Sequence, residues 1–188
     1  MIVTYDKYYQ TENLFGEPYP ELVAFFAKYP QKGKVLDLGC EQGRDSIPLA
    51  RMGFKVTAMD SSSVGIEQLN QNAKAENLGL KGIVADIFEL DSYSGFDFVL
   101  LDSMFHFAKK DRKKETAFVQ KLISMIDNGC LLVFCIEDTG KKAETLNDTT
   151  DHKRPLDRVV DQKFKYEFQD GQSGHTSTTN YRMIAVKK

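Results

Sequence analysis

Five short apolar runs, residues 34–38, 54–59, 81–85, 96–101 and 130–136, each followed by a glycine or an acid, constrain this chain more than any other feature. Runs of that length with so little polar alternation read as strands buried on both faces, which implies a parallel sheet covered by helices. Helical spacing fills the longer gaps. Asp45 or Ser46 can cap a helix that carries Pro48 in its first turn and ends near Met52 and Gly53. Ser61, Ser62 and Ser63 offer a second cap, Val64, Ile66, Leu69 and Ala73 continue with helical spacing, and Gly79 closes that helix. A third amphipathic helix is predicted over residues 111–126 and stopped by Asn128 and Gly129.

The last third reads differently. Residues 138–147 predict one more helix, and the polar stretch 148–161, with His152, Arg154 and Pro155, predicts a loop or flap. Residues 164–168 and 178–186 alternate in polarity on either side of the turn cluster 170–174, a hairpin signal. The sheet is therefore expected to end in an antiparallel pair. The chain reads as one α/β domain over residues 1–188, with no internal repeat.

Charge and cysteine usage exclude several classes of function. Lys and Arg number 25 against 27 Asp and Glu, a net charge of -2, which is not the basic excess of a nucleic-acid binder. The clusters at Lys109, Lys110 and 112–114, and at Lys153 and Arg154, read as solvated faces. Cys40, Cys130 and Cys135 are odd in number, two of them inside apolar runs, which argues for a reducing compartment. No close Cys/His spacing suggests a metal site. The first six residues lack a secretory pattern and no run approaches the ~20 apolar residues of a membrane helix, so a soluble, cytoplasmic protein is expected.

Chemistry-bearing residues gather at the strand ends. Gly39 and Gly43 sit where the first strand gives way to the first helix, a position where open α/β sheets bind nucleotide-like ligands. Glycine there admits the backbone to close approach, and the following helix N-terminus favours an anionic group. Asp60, ending the second strand, can accept hydrogen bonds from both hydroxyls of a ribose and would repel a 2′-phosphate. Asp86, ending the third, is placed to accept from an adenine amino group, with Ile87 and Phe88 available to pack on the ring. Taken singly, such acids serve as turn or cap residues. The ordered set Asp37, Gly39, Gly43, Asp60 and Asp86 is far more specific.

These residues resemble the class I S-adenosylmethionine (SAM)-dependent methyltransferases, and within them the tellurite- and thiopurine-resistance type of small-molecule enzyme. Residues 37–46 match the family's first motif, including the Gln42-Gly43-Arg44 continuation of that subgroup. Residues 56–60 match the ribose strand, 84–86 the adenine motif, 96–99 the fourth strand and 128–132 the turn into the fifth. Tyr8, Tyr9 and residues 15–18 look like the segment that covers the cofactor. The chain departs from the family at Glu41, usually glycine, and at Asn128. The Glu41 side chain is expected to point to solvent.

The resemblance implies a Rossmann-like class I methyltransferase fold, a seven-stranded, mostly parallel sheet with an antiparallel last strand and helices on both faces. Residues 1–30 would form a helical cover over the cofactor, and 138–161 a substrate flap. SAM would be held by Tyr9, Asp37, Gly39, Cys40, Gly43 and Asp45 around the first turn, and by Asp60, Ser61, Asp86 and Ile87 beyond it. Asp102, after the fourth strand, would contact the cofactor's amino group or orient its loop. The product would be S-adenosylhomocysteine (SAH), the partner a small-molecule methyl acceptor, and the protein a monomer or homodimer.

His106, among apolar neighbours, reads equally as a general base or substrate ligand and as a packed core histidine. His175 corresponds loosely to a histidine in the C-terminal segment of the tellurite-type enzymes, although Thr176 follows it where the family has arginine. His152 with Arg154 reads as part of a solvated loop. Two rivals share the glycine turn. An NAD-dependent enzyme would need a tighter Gly-x-Gly-x-x-Gly turn than Gly39 and Gly43 followed by Asp45 and Ser46. A SAM- or nucleotide-binding regulatory module without transferase activity would be signalled by Glu41. A nucleic-acid methyltransferase would carry an Asn-Pro-Pro-Tyr-like tetrapeptide where this chain has residues 102–105.

Overall fold

Seven strands form one sheet in the order β3-β2-β1-β4-β5-β7-β6. They are β1 (Lys34–Leu38), β2 (Lys55–Asp60), β3 (Leu80–Val84), β4 (Phe98–Asp102), β5 (Leu131–Glu137), β6 (Asp157–Gln169) and β7 (Thr176–Lys187). The helices are α1 (Pro20–Ala27), α2 (Ser46–Arg51), α3 (Ser63–Ala75), α4 (Arg112–Met125) and α5 (Gly140–Thr150). The computed structural model describes Asp6, Tyr9 and residues 14–152, 156–169 and 176–188. Tyr8, Arg154, Pro155, the turn cluster 170–174 and His175 lie outside the described residues. The chain divides into two compact units, one of Met1–Asp91 with Phe96–Leu100 and one of Ser92–Gly95 with Leu101–Lys188.

In the first unit β1 pairs in parallel with β2 and β4, and β2 in parallel with β3. Flanked on both sides, β1 buries Val35, Leu36 and Leu38 to within 1% of full burial, which is why its sequence does not alternate. Aromatic rings lock the strand starts to α1. Phe26, Phe54 and Phe98 meet with centroids 5.2 to 5.7 Å apart, mostly edge to face.

In the second unit β7 runs antiparallel to both β5 and β6. Its Met183, Ile184, Ala185 and Val186 are buried, as is β5 up to Ile136. β6 is an edge strand, and its outer residues are charged: Asp161 takes a two-pronged bond from Arg182 at 2.5 and 2.8 Å, and Lys163 reaches Asp138 at 2.8 Å.

The antiparallel ending agrees with the hairpin pattern in the sequence. Several boundaries do not. The helix after β2, α3, stops at Ala75 rather than Gly79, because Asn77 adopts the left-handed conformation (φ 53) that ends it. The polar stretch 148–161 is mostly not a loop: α5 carries on to Thr150 and β6 begins at Asp157. In its last turn Thr149 Oγ1 donates back to the Thr145 carbonyl at 2.6 Å. Among the described residues no helix is long and apolar enough to cross a membrane.

Candidate functional site

Beyond Leu38 the backbone turns sharply over Gly39, Glu41 and Gly43, whose φ angles are 77, 55 and 92. The turn is pinned to the end of β2, since the N–H groups of Gly39 and Cys40 both donate to the Met59 carbonyl at 2.8 and 3.1 Å. Glycine at 43 is required twice over: its φ is left-handed, and a Cβ there would lie 3.0 Å from Leu69.

Asp60 ties this turn to the next helix. Its Oδ2 accepts from Glu41 N–H at 3.1 Å and its Oδ1 from Ser62 N–H at 2.8 Å. Ser62, not Ser61, caps α3, its hydroxyl accepting from Gly65 N–H at 3.1 Å, while Ser61 is exposed. The first turn of α3 approaches so closely that a Cβ on Gly65 would sit 2.8 Å from the Glu41 carbonyl oxygen. Asp86 stands just past the neighbouring strand. Its carboxylate is exposed and accepts from Phe88 N–H at 3.0 Å, Ile87 beside it is buried, and Ala85 N–H binds the Asp60 carbonyl at 2.9 Å.

Four carboxyl groups crowd the turn. Asp37 is buried and accepts from the Ser46 hydroxyl at 2.5 Å. Burial and the Asp45 carboxylate push it up to about 7. Asp45 precedes α2 but does not cap it with its side chain; it pairs instead with Arg44 at 3.4 Å. Arg44 lies over the Tyr19 ring at 4.9 Å. The expectation that Glu41 points to solvent fails. It is half-buried, and burial with the carboxylates of Asp45, Asp60 and Asp37 raises it to about 8 against the opposing pull of Arg44. Burial and the same acidic surroundings push the Cys40 thiol well above its ordinary range, so it is a neutral packing group.

A pH effect follows with a definite sign. The raised pKa of Glu41 leaves its stability contribution intact below its ordinary 4.5 and removes it progressively as pH climbs toward about 8. Glu41→Gln cannot ionise. Its Tm is expected to exceed wild type by about 2–4 °C at pH 8.5, the shift ~1 kcal/mol produces in a chain of this size, and the margin should shrink toward pH 5. Thermal melts across that range would check it.

In the second unit Asp102 ends β4, 6% exposed, and accepts from the Ser103 hydroxyl at 2.8 Å. The loop beyond it is bounded by two left-handed residues, Ser103 (φ 54) and Phe107 (φ 46). Glu115 of α4, itself buried, holds this loop by accepting from His106 N–H at 3.3 Å and Phe107 N–H at 2.6 Å. His106 is therefore not a packed core histidine: its backbone is clamped and its side chain is exposed. His152 is exposed as well. Sequence reasoning missed Glu115; its only signal was an acid in the first turn of α4 on the face shared with Phe118 and Leu122.

The first unit also contains a polar pocket of about 320 Å³ beside the turn. Glu41, Gln42, Gly43 and Arg44 form one wall, Phe15 and Glu17 another, and Arg51, Gln68 and Gln71 of the helices a third. Tyr9 is buried, its ring against Gly65 and edge-on to Phe15 at 6.2 Å. Among the described residues no group of three or more His, Cys, Asp or Glu side chains is arranged to hold a metal ion.

The profile of the family described as "Tellurite resistance protein TehB" matches residues 1–139. The chain is 33% identical over 108 residues to a probable S-adenosyl-L-methionine-dependent methyltransferase TehB of Haemophilus influenzae, covering 57% of this chain and 36% of that protein. It is 36% identical over 81 residues to a tRNA (uracil(54)-C(5))-methyltransferase of Pyrococcus furiosus, covering 43% of this chain and 20% of that one. The chain thus spans about a third of the first relative and a fifth of the second. The crystal structure of TehB from Haemophilus influenzae superposes with a TM-score of 0.71 at 21% identity, covering 98% of this chain and 65% of the other. At that identity the likeness speaks for the fold, which is the Rossmann-like methyltransferase fold.

Proposed function

Because the chain belongs to the TehB family, we propose that it binds SAM across the glycine turn and the ends of β2 and β3 and transfers the methyl group to a small-molecule acceptor. The observation that carries this reading is the Asp60 carboxylate. Each of its oxygens accepts one backbone N–H, leaving further lone pairs for a ribose diol. Asp86, with an exposed carboxylate and the buried Ile87 next to it, suits an adenine amino group and ring face. Gly39 and Gly43 leave two points of the turn without a Cβ. Tyr9, Asp37, Cys40 and Asp45 complete the proposed cofactor site around the turn, and like Asp60 all four are buried.

Bound SAM supplies a methyl group already activated on a sulfonium, so placement of the acceptor accounts for most of the rate. His106 is exposed on a loop whose backbone Glu115 holds fixed, an arrangement suited to taking a proton from an acceptor. Asp102, with Ser103 on its carboxylate, sets the start of that loop. If His106 is the base, His106→Phe lowers kcat by about 10²–10⁴-fold with SAH affinity unchanged. Full activity in that variant removes His106 from catalysis.

A net charge of -2 favours a small acceptor over a polyanion. The test is SAH formation from SAM with thiols, chalcogen oxyanions, amines and phenols, run beside unmodified tRNA. Turnover with one of the small acceptors and none with tRNA is expected. Turnover confined to tRNA would overturn the small-molecule reading and leave the methyltransferase one standing.

A further inference from the structure

The cofactor loop and the N-terminal segment are joined by two glutamine side chains. Gln68 of α3 donates through Nε2 to the Tyr9 carbonyl at 2.8 Å. Gln42, inside the glycine turn, donates through Nε2 to Gln68 Oε1 at 2.7 Å and to the same Tyr9 carbonyl at 3.4 Å. Its Oε1 accepts from Leu14 N–H at 3.0 Å. A second tie lies at the N-cap of α3, where the Ser62 hydroxyl donates to Asp6 Oδ1 at 2.5 Å. Packing reinforces the polar links, since the bare Gly65 lets the Tyr9 ring in to 3.1 Å, and the Glu41 carbonyl to 2.8 Å, from where a Cβ would stand.

We propose that Gln42 and Gln68 are positioning residues that lock Tyr9 and Leu14 onto the glycine turn, so that docking of the N-terminal segment and cofactor binding are linked. The physical reason is the place of Gln42. It sits between Glu41 and Gly43, two of the three left-handed residues of the turn, so the side chain that holds Leu14 springs from the backbone a cofactor would lie on. Linkage requires the reverse as well: a ligand that fixes the turn also fixes the segment. Gln68 completes the relay, because without its side-chain amide the Gln42 amide loses its 2.7 Å acceptor and the Tyr9 carbonyl its 2.8 Å donor. This inference rests on the cofactor site proposed above.

Site-resolved amide hydrogen exchange tests it on the full chain, for wild type, Gln42→Leu and Gln68→Leu, with and without SAH. In wild type the Leu14 amide should be protected, and SAH should slow its exchange further. In both variants Leu14 exchange should rise at least tenfold and the SAH Kd about tenfold, while amides of β5 keep their wild-type rates and so report an intact fold. Gln42→Glu, which keeps the acceptor for Leu14 but loses both donors, should retain Leu14 protection better than Gln42→Leu. Unchanged Leu14 protection in the leucine variants, or lost protection with an unchanged SAH Kd, would overturn the proposal. Should wild type bind no SAH at all, the cofactor reading fails by itself, and the ligand-free exchange rates still decide whether the relay holds the segment.

Discussion

Asp60→Ala should raise the Kd for both SAM and SAH at least 100-fold and lower the Tm in the ligand-free protein. The carboxylate serves two sides at once. Toward the protein it holds the N–H groups of Glu41 and Ser62, and so sets the distance between the glycine turn and α3. Toward a ligand it offers its remaining lone pairs to the ribose. A hydrogen bond to a charged group contributes about 1.5–3 kcal/mol, and a 100-fold change in Kd corresponds to about 2.7 kcal/mol, so loss of the ribose bonds alone reaches the expected effect. Asp60→Asn separates the two sides, since the amide oxygen can still accept one backbone N–H while its NH₂ faces the other donor. It should fall between alanine and wild type in affinity. An unchanged Kd for SAH in Asp60→Ala would take Asp60 out of the site.

The second large effect is expected at Gly65. Replacing a glycine within a helix by alanine normally stabilises by up to ~1 kcal/mol. Here the sign should reverse. The added Cβ would stand 2.8 Å from the Glu41 carbonyl oxygen, a backbone atom held in place by the neighbouring Asp60 bond, and 3.1 Å from the Tyr9 ring. Overpacking of this kind costs about 1–3 kcal/mol, which for a chain of this length lowers Tm by roughly 2–12 °C. Cofactor affinity should fall too, because relief of the clash displaces the turn. Gly140→Ala, at the first residue of α5 with nothing within 4 Å of the new Cβ, is the matched control and should be neutral or stabilising. A stabilised Gly65→Ala would mean that the turn and α3 are not in this close contact.

The residues that set both effects were unequally visible in the sequence. Asp37, Gly39, Gly43, Asp60 and Asp86 stand out because each lies at or just beyond the end of an apolar run, and a parallel sheet brings the ends of its strands together whatever the helices do. The antiparallel ending was legible for a similar reason, since alternation differs from continuous apolarity. What stayed hidden depends on contacts distant along the chain. Gln68 meets a carbonyl 59 residues away, and Glu115 finds its partners in a preceding loop rather than on its own helix. Glu41 was expected to point to solvent because nothing in its sequence neighbourhood reveals the left-handed turn that directs it among Asp37, Asp45 and Asp60. The described part of the polar stretch 148–161 is mainly helix and edge strand, whose charges are paired across neighbours, as between Arg182 and Asp161. Polarity alone cannot distinguish a charged edge strand from a loop.

Isothermal calorimetry of the full chain with SAM, SAH and NAD tests the cofactor assignment most directly. One site of micromolar or tighter affinity for both SAM and SAH, with no heat from NAD, is the predicted result. Absence of binding for SAM and SAH in a protein that melts cooperatively, or binding of NAD alone, would contradict it.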